Sequence, residues 1–463
     1  MTLGQLLPSL RPSLSTQLSA DVWPVTARRG EDGDLLVGGV GLTALAASHG
    51  TPSYVVDSAD VRLRCREYVT AFGPGNVAYT AKALLSCGVA RWVAEEGLSL
   101  YAGSAGELRV ARAAGFSGEQ IVLYGSAKTP EDLTAAYTGG VAAIVAESLG
   151  EITRLAATAP RGQRVLLRVI AGPGPGVGLD SRFGLRIDTG EAETAVARIA
   201  AQSGLTLVGL DCSVGHQENR FGVYEEELRR IVDFLAAMRD RHGTELTRLN
   251  LGGGHAVAYA GGDLGFALAA FANRMRGVLR LRAEQHRIPV PRLTVSPGRA
   301  LVSRAGVTLY RVLSTAHGPD GRRLVAVDGG MTDCPPAALC GGHHSVALVG
   351  RTSRAQLQPT TVVGRHNEVD DVVSPSVDLP ADVHPGDLLA VAGTGAYHHC
   401  RASNYHLVGR PALLSVQDGQ LATLVRRESI ADLLARDLDL PPDADAVPAT
   451  AVPATAGRGM ARA

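Results

Sequence analysis

Between residues 76 and 297, short apolar or β-branched runs alternate with longer, Ala-rich amphipathic stretches. This is the pattern of repeated βα units. The candidate strands fall at 76–80, 99–102, 121–124, 141–145, 165–169, 207–211, 248–251 and 293–296. Eight such units predict a closed parallel (β/α)8 barrel, and the same periodicity also suits an open, doubly wound sheet. After Arg299 the texture changes to strand-like runs separated by Gly, Pro and Asp, at 307–313, 323–327, 345–349, 388–391 and 413–416. Those runs predict a C-terminal all-β domain. Residues 438–463 are mostly Ala, Pro, Thr and Asp, with little to bury, and read as a disordered tail.

A chain of 463 residues with 45% hydrophobic content can bury more than one core. Its formal net charge of zero offers no basic field for a polyanion, so nucleic acid is not an expected partner and small molecules are. The six cysteines form no CxxC pair, which suits a reducing cytoplasm and suggests neither a disulfide framework nor a zinc ribbon. No run reaches the length of about 20 apolar residues that a membrane span needs, and the first residues carry no export pattern. The basic residues are almost all arginine, Lys82 and Lys128 being the only lysines. Arginine replaces lysine on a solvated surface but cannot form an imine, so a retained lysine is a candidate for carbonyl chemistry. Chance survival is an equal reading for Lys128.

In a parallel barrel, reactive groups sit where the strands end. Lys82 follows the first candidate strand, residues 104–107 the second, and residues 211–217 the sixth. Gly252, Gly253 and Gly254 follow the seventh, and Ser296, Pro297, Gly298 and Arg299 the eighth. Consecutive glycines expose backbone N–H groups that can receive a phosphate, although glycines also serve tight turns. An amine after the first strand paired with a phosphate cradle after the seventh can hold both ends of pyridoxal phosphate.

With these pieces in order, the sequence resembles the fold-type III decarboxylases, diaminopimelate decarboxylases in particular, which use an alanine-racemase-like barrel. The matching segments are TPSYVVD from Thr51, AYTAKA around Lys82, SAGEL from Ser104, SRFGL from Ser181, NLGGG from Asn250, SPGR from Ser296, VDGGMTD from Val327 and GAYHHCRASNY from Gly395. The resemblance implies a barrel over 46–300 that binds pyridoxal phosphate and a β domain over 301–437 that also receives residues 1–45. It further implies a homodimer with shared active sites and an amino-acid substrate. Lys82 would hold the cofactor aldehyde covalently. Gly253, Gly254, Gly298, Arg299 and Tyr397 would meet the phosphate, and Arg299 and Glu368 the substrate, Glu368 from across the dimer interface. Lys82, Tyr397 and Glu368 are the implied catalytic residues. The chemistry implied is loss of carbon dioxide from Cα, followed by return of a proton.

Several family positions are altered. Ser213 stands where a histidine stacks on the pyridine ring, and His216 where a serine binds phosphate. Ser296 replaces the glutamate that faces the ring nitrogen, and a neutral hydroxyl cannot hold a proton there as a carboxylate does. Asn367 replaces the cysteine that returns the proton, leaving water, Tyr397, Lys82 or His366 to do so and Asn367 only to contact substrate. Residues 336–340 lack the arginine and tyrosine that meet the far end of diaminopimelate, so a different amino acid is the expected substrate. Racemisation or elimination on the same cofactor, and a non-catalytic binding role, are the two alternative readings.

Other features read as structural. His343, His344, His398, His399 and His406 beside Cys400 do not predict a metal site, because adjacent strand residues point to opposite faces. The Gly/Pro run at 172–178 is read as a barrel loop, and Asp370 with Asp371 as a solvated turn.

Overall fold

The computed structural model describes residues 18–172, 184–318, 321–334 and 344–439. The loop at 173–178, the Ser181 motif up to residue 183, residues 336–340, His343 and the tail after residue 439 lie outside the described residues. Near the start, β1 (Arg28–Arg29), β2 (Leu35–Val37) and β3 (Val40–Gly41) form a small antiparallel sheet. β4 (Ser53–Asp57) follows, with every residue buried.

The barrel strands are β5 (Ala78–Thr80), β6 (Ser99–Ala102), β7 (Ile121–Leu123), β8 (Ala143–Ala146) and β9 (Gln163–Ile170). A two-residue strand, β10 (Leu185–Arg186), pairs with β9, and β11 (Leu205–Asp211), β12 (Arg248–Asn250) and β13 (Arg292–Thr294) complete the set. They run parallel in the order β13-β12-β11-β9-β8-β7-β6-β5. A parallel bridge between Val77 and Val295 joins the two ends, with Ala78 N–H donating to Val295 O at 2.9 Å. The sheet is therefore a closed barrel and not a doubly wound open one.

Local sequence sets the turns between strand and helix. Ser86, Ser104, Thr129 and Ser148 each accept a backbone N–H at a helix start, satisfying a donor that the first turn leaves unpaired. Apolar faces of these helices pack on the strands around Leu100, Leu123, Ile144, Leu167 and Leu210.

The second sheet contains β14 (Gly306–His317), β15 (Arg323–Val327), β16 (Val346–Val349), β17 (Leu357–Val363), β18 (Val372–Pro380), β19 (Leu388–Ala392), β20 (Ala412–Gln417) and β21 (Gln420–Val425). The boundary drawn at residue 46 needs correction, because β4 belongs to this sheet. It lies antiparallel to β14 and parallel to β20, so its apolar run is buried by a partner on each edge. No helix among the described residues is long and apolar enough to cross a membrane.

Candidate active site

Lys82 sits on a single 3-10 turn, Ala81–Ala83, directly after β5. Two staples hold that turn against the end of the barrel's last strand. Thr80 Oγ1 donates to Ser296 O at 2.7 Å, and Thr80 N–H to Pro297 O at 3.1 Å. From the β domain, Tyr397 N–H donates to Ala83 O at 2.8 Å, and Cys400 Sγ lies 3.1 Å from Lys82 O. The flanking Ala81 and Ala83 are buried, whereas the Lys82 side chain runs into an open cavity of ≈ 230 Å³. Burial among the cavity walls, and next the positive charge of Arg168, pull its amine below the ordinary lysine value, opposed by Glu107 and Glu147. A lowered amine is a better nucleophile near neutral pH.

The glycine triplet lines the same cavity. A Cβ on Gly254 would meet Gly215 O at 1.9 Å, and one on Gly253 would meet Ser296 O at 2.6 Å. Gly252 and Gly254 also have φ of 72° and 80°, so this close approach of three loops needs glycine. Arg299, 6% exposed, donates to Tyr259 Oη, lies 3.4 Å from His216 Nε2 and stacks over Tyr397 with its Cζ 4.8 Å from the ring centre. Burial first, then Arg299 and Lys82, lower the pKa of His216, so its ring is neutral near pH 7. Burial raises the Tyr397 hydroxyl, with Arg299 opposing. Backbone N–H groups, a buried guanidinium, an imidazole and a phenol around one cavity make an anion receptor.

The polar floor holds Arg168, which sequence reasoning missed, with Asp211 and Asn250, which it placed at a strand end and in a motif without giving either a role. Arg168 Nη1 meets Asp211 Oδ1 at 2.8 Å, Asn250 Nδ2 donates to Asp211 Oδ2 at 2.6 Å, and the same nitrogen lies 3.1 Å from Ser296 Oγ. Tyr101 and Tyr124 complete the wall, with Lys82 Nζ 5.8 Å from the Tyr124 ring centre. The available signal was a charged residue inside an apolar strand, Arg168 in β9, and polar residues at the ends of β11 and β12.

The structure thus brings Lys82, Ser213, His216, Gly253, Gly254, Ser296, Gly298, Arg299 and Tyr397 to one cavity. It does not bring Asn367 and Glu368 there within the chain. Both are exposed on the connection between β17 and β18, where Tyr405 Oη donates to Glu368 Oε1. Nor is Asp371 a solvated turn, as its sequence suggested. It is 3% exposed, and its carboxylate accepts Met331 N–H at 2.6 Å and His366 N–H at 2.7 Å. Lys128 is structural, with Nζ on Gly125 O and Val145 O at 2.6 Å each and on Glu151 Oε1 at 2.8 Å.

A lysine after the first strand of a closed barrel, facing a glycine-built anion receptor in one cavity, fits pyridoxal phosphate at both its reactive ends, and defines a barrel enzyme of the pyridoxal-phosphate class. Residues 58–303 match the family model described as pyridoxal-dependent decarboxylase, pyridoxal binding domain, and the chain belongs to that family. It is 48% identical to a diaminopimelate decarboxylase of Actinosynnema pretiosum subsp. auranticum, over 95% of this chain and 100% of that one. It is 39% identical to the diaminopimelate decarboxylase of Mycobacterium tuberculosis strain H37Rv, over 91% of this chain and 98% of that one. Among solved structures, diaminopimelate decarboxylase from M. jannaschii in complex with L-lysine superposes with a TM-score of 0.84, at 26% identity, over 90% of this chain and 99% of that one. The chain is a pyridoxal-phosphate-dependent carboxy-lyase of the diaminopimelate decarboxylase type.

Proposed function

We propose that the chain decarboxylates diaminopimelate, with Lys82 as the residue that carries the cofactor. The observation that carries the assignment of Lys82 is its amine opening into the same cavity as the glycine triplet. Full-length similarity to relatives named diaminopimelate decarboxylase argues for that substrate. It outweighs the expectation of a different amino acid drawn from residues 336–340, which lie outside the described residues.

When bound, pyridoxal phosphate supplies a ring that accepts the electron pair left as a Cα bond breaks. The protein supplies the rest. Gly253, Gly254, Gly298, His216, Arg299 and Tyr397, which line the cavity, would receive the phosphate and fix its orientation. With the cofactor bound, Lys82 Nζ would serve as a base and proton carrier within the cavity, and Tyr397 Oη as a second proton source. Ser213 would offer the ring no stacking imidazole, and Tyr101 and Tyr124 are the aromatic rings that line the same cavity beside Tyr397. Asn367 and Glu368, exposed in the single chain, would reach a substrate from a second copy, so we take the working form to be a homodimer in the cytoplasm.

The test is carbon dioxide release from meso-diaminopimelate beside a panel of other α-amino acids, with Lys82→Ala as control. Release from diaminopimelate, abolished together with the bound-cofactor absorbance in Lys82→Ala, is the expected result. Release confined to another amino acid would refute the substrate. The Ser296 hydroxyl specifically favours one second reading, a Cα proton exchange without loss of carbon dioxide, and deuterium wash-in at Cα with no gas release would establish it.

A further inference from the structure

Behind the cavity, Arg168, Asp211, Asn250 and Ser296 form a hydrogen-bonded chain whose donor and acceptor order can be read atom by atom. Asn250 is 2% exposed and its orientation is fixed from both ends. Its Oδ1 accepts Gly252 N–H at 3.2 Å, and its Nδ2 faces Asp211 Oδ2 at 2.6 Å. An amide nitrogen only donates. The second Nδ2 proton therefore goes to Ser296 Oγ at 3.1 Å, where the serine oxygen is the acceptor. Among the described residues Asn250 is the one hydrogen-bond partner of that oxygen, which leaves the serine's own proton to be donated toward the cavity it lines.

We propose that Ser296 donates this proton to the ring nitrogen of pyridoxal phosphate and that the site holds this nitrogen unprotonated, with Asn250, Asp211 and Arg168 as positioning residues. In pyridoxal phosphate the ring nitrogen lies para to the aldehyde carbon, so with the aldehyde at Lys82 the nitrogen would meet another part of the cavity lining, which includes Ser296. A hydroxyl does not keep a pyridinium protonated as a carboxylate does. Through Ser296, Asp211 supplies no proton path, because Asn250 stands between them and can neither accept nor pass a proton through its nitrogen. The Asp211 carboxylate is engaged by Arg168, Asn250 and the Tyr101 hydroxyl, which burial and Asp211 hold protonated, and the Arg168 guanidinium lines the cavity, where its charge opposes a second cation. The carboxylate that would otherwise stabilise a ring cation is set one residue back and neutralised by an ion pair.

The experiment uses holoenzyme carrying cofactor labelled with ¹⁵N at the ring nitrogen, read by ¹⁵N NMR through the neutral pH range. The expected resonance is that of an unprotonated, hydrogen-bonded pyridine that does not titrate. Ser296→Glu should move it by tens of ppm to the pyridinium side. Ser296→Ala should leave it unprotonated but shifted to the value of a free pyridine, and Asn250→Leu should move it part of the way there. A pyridinium resonance in the unsubstituted holoenzyme, or a Ser296→Ala resonance identical to it, would overturn the proposal. The role of Ser296 rests on pyridoxal phosphate binding at Lys82, which the holoenzyme's absorbance reports separately. Absence of a Lys82-dependent absorbance band would overturn both.

Discussion

The two lysines of this chain show how one residue type serves opposite ends. Lys82 has its amine in an open cavity with its pKa drawn down, first by burial among the walls. Lys128 has its amine fully enclosed and saturated by two carbonyls and Glu151, whose side chain is 4% exposed. Arginine would not fit that three-acceptor point, which explains the retention of a lysine without catalysis. Lys128→Met is expected to leave Glu151 buried without its partner and to cost about 3–5 kcal/mol of stability, measured by denaturant unfolding, while carbon dioxide release per folded molecule stays unchanged. Gly254→Ala tests the cradle. Its Cβ would stand 1.9 Å from Gly215 O at a φ of 80°, so the loop must move. Cofactor affinity should fall by about tenfold or more, given the 1–3 kcal/mol cost of such backbone strain. An unchanged dissociation constant, measured by fluorescence quenching, would remove Gly254 from the phosphate site.

Between the strands and loops, legibility followed burial. All eight barrel strands were readable because each is a short run between longer amphipathic helices, and a parallel strand is covered on both faces. β17, β18 and β21 were not read. β17 and β18 carry Pro359, Pro375 and Pro380, and β18 and β21 are sheet edges whose outward residues are polar or exposed. Site residues on motifs were legible. The joint role of Arg168, Asp211 and Asn250 was not, because it comes from register across three neighbouring strands, which one sequence does not display. Asp371 was misjudged because its carboxylate turns inward to clasp His366 N–H on its own connection and Met331 N–H on a distant one. Its carboxylate sits where a Cβ on Gly330 or Gly364 would fall, 2.3 and 2.2 Å from Oδ1. Asp371→Ala should therefore leave the Met331 and His366 amides without acceptors, costing about 1–3 kcal/mol for each buried unsatisfied group. Hydrogen exchange at those two amides should accelerate while barrel amides stay protected. Equal acceleration throughout would mean that the clasp is not local.

The two sheets and their junction also bury titratable groups with opposing consequences, and the sum sets how the fold answers pH. His255, His344 and His398 are 1%, 4% and 1% exposed, and burial lowers them from 6.5 to about 3, 4 and 3. Their neutral forms are kept by packing. His255 stacks on Phe266 at 4.8 Å and meets Tyr68 Oη at 2.8 Å, and the rings of His344 and His398 lie 5.1 Å apart. The unfolded chain protonates first as pH falls below 6.5, so stability held by these neutral rings is complete above that value and lost on the way down to about 4 and 3. Asp333 acts in the other direction. Burial raises it from 3.8 to about 7, with Tyr310 Oη donating to it at 2.5 Å, so the stability of its neutral form is present below 3.8 and lost as pH rises to about 7. Among the most strongly shifted of these carboxyl and imidazole groups, three histidines oppose one aspartate between about pH 4 and 6.5, and each unmatched proton is worth at most about 1.4 kcal/mol per pH unit. The melting temperature of the holoenzyme should therefore rise with pH up to about 6.5 and flatten or dip slightly toward 7. Calorimetry at a series of pH values checks this. His344→Gln with His398→Gln should reduce the acid-side slope, and Asp333→Asn should remove the dip. A melting temperature that climbs as pH falls below 6.5 would mean that these rings are already charged in the native fold.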